Sequence, residues 1–148
     1  MNYTAEQQKQ IKKQWEQLKK AMVKKERLSG AFRMTSKQLN NRTATVLLVS
    51  VIRDYDGEIE YDKKAMNEVQ GFDTWTDKQK AESKKHHEER IERFETKKQR
   101  FGTKENEAKV LAEIITSSKE FEDFQKIVGE VRTNLEVVNN FIYLRVNY

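Results

Sequence analysis

Hydrophobic side chains in this chain recur mostly at helical intervals. Ile11, Trp15, Leu18 and Met22 are spaced four, three and four residues apart, which sets them on one helical stripe. Thr4-Ala5-Glu6-Gln7 just before them reads as a capping box, with hydroxyl and amide side chains satisfying backbone donors reciprocally. Ser29-Gly30 stops the run. A helix over residues 5–28 is predicted, about 36 Å long.

Residues 31–42 read as irregular or as a short helix. Thr43–Tyr55 admits two readings. Ala44, Leu47, Leu48, Val51, Ile52 and Tyr55 fit one helical face, thickened by Val46 and Val49. The same β-branched stretch fits a strand that turns at Asp54-Tyr55-Asp56-Gly57 into Glu58–Tyr61, a short hairpin near 46–61. The complete face match favours the helix. A short extended segment at 58–61, a helix capped by Asp62 and holding Met66 and Val69, and a loop at Gly71–Trp75 are expected next.

From Thr76 to Phe101 apolar residues stand only at Ala81, Ile91, Phe94 and Phe101, which predicts a long helix solvated in its first half and docked through its second. Gly102 ends it and Thr103 caps the next, whose inward residues are Ala108, Leu111, Ile114 and Ile115. Ser117–Glu120 offers a further capping box. Phe121, Phe124, Val128, Val131, Leu135, Val138 and Ile142 then alternate at three and four residues, the seam of a coiled-coil-like C-terminal helix. The tail, residues 141–148, is too apolar to be solvated and should be docked.

The pattern predicts a mainly α fold: an elongated helical bundle or helical hairpin in one domain, 1–148. Within it lie a basic N-terminal helix (1–30), a compact middle segment (31–75) and long helices (76–148).

Composition sharpens this. Charged residues make up 36% of the 148, against about 25% in ordinary domains. Less apolar surface is available to bury, which favours slim helical layers. Pro is absent and Gly occurs 5 times, leaving room for long helices. The absence of Cys removes disulfides, thiolate nucleophiles and cysteine metal sites together. Residues 1–10 lack a signal-peptide core and the longest apolar run is Val46–Val49, so a cytoplasmic location, or one inside a cytoplasmically assembled complex, is expected, with no membrane contact. In composition the chain loosely resembles small accessory proteins of viruses and mobile elements, a likeness that assigns no residue a role.

Charge is unevenly spread. Residues 1–53 carry 12 Lys and Arg against 3 acids, whereas residues 54–76 carry 2 against 7. Lys12, Lys13, Lys19, Lys20, Lys24, Lys25 and Arg27 cover the polar surface of the first helix and could lie along phosphates, with salt-dependent affinity. Lys outnumbers Arg, the residue of bidentate base reading, so such binding would be non-specific. A solubilising coat on a long helix explains the same residues equally simply.

Catalytic and metal-binding motifs fare worse. The alternation Asp54, Asp56, Glu58, Glu60, Asp62 suggests a calcium loop, but its sixth and twelfth positions hold Ile59 and Ala65 where Gly and Glu are required. Carboxylates facing solvent are the simpler reading. Glu82, His86 and Glu89 share a helical face, yet Lys84, Lys85, Arg90 and Arg93 surround them with positive charge. No two glycines fall close enough to form a phosphate loop, and no base–nucleophile pair is evident. A non-catalytic binding or assembly protein is expected, acting through helix faces as a complex component or stoichiometric inhibitor, without cofactor or small-molecule substrate. Trp15, Leu18 and Met22 on the stripe and Phe72 and Trp75 in the loop are the candidate partner contacts. Non-specific nucleic-acid binding through the Lys-rich helix is the alternative.

Overall fold

Capping chemistry places the first helix where the sequence expects it. In a computed structural model that describes residues 3–148, α1 spans Ala5–Glu26, and Thr4 and Gln7 form the reciprocal cap. It ends slightly early, on Arg27 in the left-handed conformation (φ 55°). The structure is mostly helical, with six helices and a four-stranded antiparallel sheet among the described residues. The chain divides into two compact units, Met1–Ser50 with Ala108–Tyr148, and Val51–Glu107.

The first unit carries the sheet. After α1 come β1 (Phe32–Arg33), α2 (Ser36–Asn40) and β2 (Thr43–Ser50). The favoured helical reading of 43–55 is therefore corrected. Ala44, Val46 and Leu48 alternate inward, a period of two that the β-branched Thr43, Thr45, Val46 and Val49 suit. The hairpin over 46–61 does not form either, because the partner of β2 comes from the far end of the chain. That partner is β4 (Phe141–Asn147), with Ala44 opposite Val146 and Val46 opposite Leu144.

The C-terminal seam is also corrected. The helix α5 (Lys104–Thr116) enters this unit at Ala108 and is followed by α6 (Lys119–Val128), capped by Ser118 rather than Ser117. Gly129 stops α6 at φ 87° and ψ −142°, a conformation open to glycine and costly for other residues. Beyond it, β3 (Arg132–Val138) and β4 form a hairpin joined by Asn139-Asn140, Asn139 having φ 54°. Val131, Leu135, Val138 and Ile142 thus lie in or beside strands, and no continuous helix carries the heptad. The tail is docked, as its apolarity requires.

Strand order is β1-β2-β4-β3, every neighbour antiparallel. The inward rows of β2 and β4 pack with Ile11, Trp15, Leu18 and Met22 of α1, Ala108, Leu111 and Ile115 of α5, and Phe121 and Phe124 of α6. Trp15 stands at the centre, its ring 5.6 Å from Phe32 and 5.5 Å from Phe124.

The second unit is a helical hairpin: α3 (Tyr55–Gln70), a loop over 71–76, and α4 (Asp77–Phe101), with the first turn of α5. The extended segment at 58–61 and the cap at Asp62 are replaced by one helix from Tyr55. Its cap is Asp54, which accepts from the Gly57 amide at 2.7 Å, and Asp56 and Glu58 in the first turn complement the helix dipole. Among the described residues no helix is long and apolar enough to cross a membrane.

Candidate protein-interaction surface

The residues singled out in the sequence meet different fates. Trp15, Leu18 and Met22 are buried in the core of their own unit, so the fold itself uses the surface they would offer a partner. Lys12, Lys13, Lys20, Lys24, Lys25 and Arg27 are exposed and Lys19 is half-buried. None of these six lysines has an ion-pair partner among the described residues, so the outer face of α1 keeps its full positive charge. Lys24 and Lys25 also sit at the helix C-terminus, where the dipole favours cations. Phe72 and Trp75 are exposed together on the interhelical loop, their rings 5.5 Å apart and edge-to-face. They do not fold back as core anchors.

In the helical hairpin the acidic alternation divides: Asp54, Asp56 and Glu60 face solvent as expected, whereas Glu58 and Asp62 turn inward. On a helix Tyr55, Glu58, Ile59, Asp62 and Val69 share one side, and all are buried. Asp62, 1% exposed, sits 2.8 Å from Nδ1 of His87 and 3.0 Å from Nε of Arg90. Glu58 meets Lys104 at 3.3 Å and Arg90 at 3.6 Å. Glu107 accepts from the Tyr55 hydroxyl at 2.6 Å and from Lys97 at 3.2 Å. Burial, and then the Glu107 carboxylate, hold the Tyr55 phenol far above its ordinary range. The Asp56 hydrogen bond pushes the exposed Lys98 ammonium up. These contacts fasten α3 to α4 and to the start of α5, each buried carboxylate being met by a cation.

Glu82, His86 and Glu89 remain exposed on α4, and no group of three or more His, Asp and Glu side chains converges on a metal position among the described residues. A depression of about 230 Å³ in this unit is lined by Arg53, Asp54, Asp56, Lys98 and Lys104. Lys98 is tied to Asp56 at 2.8 Å and Lys104 to Glu58, so two of its cations are already engaged.

The least satisfied element is β3. It forms one edge of the sheet, and its seven residues pair with β4 without a register shift, from Arg132 opposite Asn147 to Val138 opposite Phe141. Thr133, Leu135 and Val137 lie opposite Val146, Leu144 and Ile142, on the face where β4 is buried. The core covers β4 and stops there. Leu135 is 38% exposed and Val137 64% exposed.

The backbone is equally open. A two-residue loop closes on a hydrogen-bonded pair, Val138 and Phe141, and such pairs alternate along an antiparallel ladder. Thr133, Leu135 and Val137 therefore turn their N–H and C=O groups away from β4. Natural edge strands are usually blunted by brevity, Pro, Lys or bulges. The opposite edge, β1, is blunted: it has two residues. β3 has full length, no Pro, no Lys and no bulge.

Sequence reasoning missed this surface because Val131, Leu135, Val138 and Ile142 also fit a heptad. The available signal was Val137-Val138-Asn139-Asn140, a β-branched pair running into a turn dipeptide.

No protein-family model matches this chain, and neither the curated proteins nor the solved structures contain a match.

Proposed function

We propose that this protein is a non-catalytic binding or assembly protein that acts through protein–protein contact, with the free edge of β3 as its docking element. The observation that carries the reading is the conjunction on one strand of unpaired backbone groups and exposed apolar side chains. Addition of a strand to such an edge supplies main-chain hydrogen bonds for affinity and side-chain pockets for selectivity. Exposed apolar surface beside an unprotected edge is a liability unless something covers it. The expected helix-face contacts give way here to a strand edge, because the best helix stripe is consumed by the core.

The test exploits the ladder's parity. Leu135→Pro removes an outward N–H that β4 does not use, so the hairpin is kept and the edge is blocked. Affinity capture from the source cell should retain a stoichiometric protein partner with the wild type and lose it with Leu135→Pro. Equal capture by both forms would remove the reading.

The unneutralised lysines of α1 favour a second reading, non-specific binding of nucleic-acid phosphates. The two readings use different surfaces, and only the second predicts dependence on Lys12, Lys13, Lys19 and Lys20.

A further inference from the structure

From the order of residues along β3 we infer that the partner of this edge is a second copy of the chain, paired antiparallel across a two-fold axis at Asn134. The inference rests on the docking role proposed for β3 and adds the occupant and the register.

Antiparallel self-pairing centred on Asn134 sets Arg132 opposite Glu136 of the second copy, and Glu136 opposite its Arg132. Opposite charges thus meet twice on one face. Glu136 is already held on that face by Arg145 of β4, at 3.7 Å. Arg132 is ion-paired with Glu130 at 3.6 Å, but the two side chains are 84% and 81% exposed, so the pair is weak and exchanging it for Glu136 of the second copy costs little. Asn134 meets its own copy on the axis, where side-chain amides can donate and accept reciprocally.

The other face is apolar under the same register. Thr133 stands opposite Leu135 of the second copy and Val131 opposite its Val137, covering the side chains that this unit leaves bare. Parity agrees as well: Thr133 and Leu135 both direct N–H and C=O outward, so they form a hydrogen-bonded pair, and Asn134 falls at a non-hydrogen-bonded position. Centring on Glu136 would set carboxylate against carboxylate. Centring on Leu135 would set Arg132 against Val138 and leave its charge unmatched. Self-pairing is isologous, so one interface removes both free edges and closes the assembly into a continuous eight-stranded sheet.

Charge-exchange variants test this by sedimentation equilibrium. The wild type should be dimeric at tens of micromolar. Arg132→Glu alone sets Glu against Glu, and Glu136→Arg alone sets Arg against Arg, so each should weaken dimerisation by about tenfold or more. An equimolar mixture of the two variants restores both opposite-charge pairs and should dimerise about as tightly as the wild type. A wild type that stays monomeric at several hundred micromolar would overturn the inference. So would a mixture no more associated than either variant alone, which would mean another register. If the wild type is monomeric and Leu135→Pro still abolishes capture of a different protein, the docking role of β3 stands and only self-pairing falls.

Discussion

Leu135 of β3 stands directly opposite Leu144 of β4, yet Leu144 is 2% exposed and Leu135 38%. One register position crosses from the core to solvent within a single strand spacing. Identical residues therefore should behave differently. Leu144→Ala leaves a cavity and should cost about 3 kcal/mol. Leu135→Ala should cost the dilute, unassembled protein less than about 1 kcal/mol. Urea titration of both variants checks this, and equal losses would show that Leu135 is already covered.

Asp62 provides a contrasting test in the helical hairpin. Removing its carboxylate leaves the partly buried Arg90 guanidinium with Glu58 alone and takes away the hydrogen-bond partner of His87 Nδ1, so Asp62→Ala should destabilise that unit by about 3 kcal/mol. The figure is at the low end because Arg90 keeps some solvent. A loss under about 0.5 kcal/mol in urea would place this network with ordinary surface ion pairs.

Tyr148 and Trp15 hold the two buried side-chain polar atoms without a hydrogen-bond partner among the described residues, a phenol oxygen and the indole nitrogen. Burial pushes the Tyr148 phenol up to about 12. The folded chain thus holds it neutral, while the unfolded chain ionises it from about pH 10. Its contribution to stability is complete below about pH 10 and is lost as pH rises toward about 12. Tyr148→Phe removes the unpartnered hydroxyl and should leave stability unchanged or raise it by about 1 kcal/mol at neutral pH. The variant should also lose less stability than the wild type between neutral pH and pH about 11. A marked loss at neutral pH would mean that the hydroxyl has a partner.

The lysine face of α1 is tested by charge reversal. Changing Lys12, Lys13, Lys19 and Lys20 together to Glu should leave the fold intact, since none of them carries an ion pair. Any affinity for single- or double-stranded nucleic acid should fall with it and, in the wild type, drop steeply with salt. Unchanged binding by the variant would remove the second reading.

How far these features could be read from the sequence depended on whether their determinants were local. The cap at Thr4, the stripe from Ile11 to Met22, and the helix between Thr76 and Gly102 are set by neighbours within a few residues, and all are present. Thr43–Ser50 was ambiguous because its outcome depends on pairing with β4, roughly a hundred residues away in the chain. Glu58 and Asp62 looked like surface carboxylates because a polarity pattern does not reveal that His87, Arg90 and Lys104 fold against them. The edge at β3 was hidden by coincidence: three-four spacing and strand alternation overlap at Val131 and Leu135, and Val138, on the other face of the strand, continues only the former. Gly129 breaks the tie, and Gly129→Ala, forced to φ 87°, should cost about 1 kcal/mol or more.

Amide exchange followed residue by residue by NMR examines the docking role of β3 most directly. In dilute protein Arg132, Asn134 and Glu136 should exchange slowly, bonded to β4, while Thr133, Leu135 and Val137 exchange quickly. In the assembled state, reached at high concentration or with a captured partner, Thr133, Leu135 and Val137 should slow by at least about tenfold. Amides of these three residues that still exchange as fast in the complex as in the dilute chain would contradict the account.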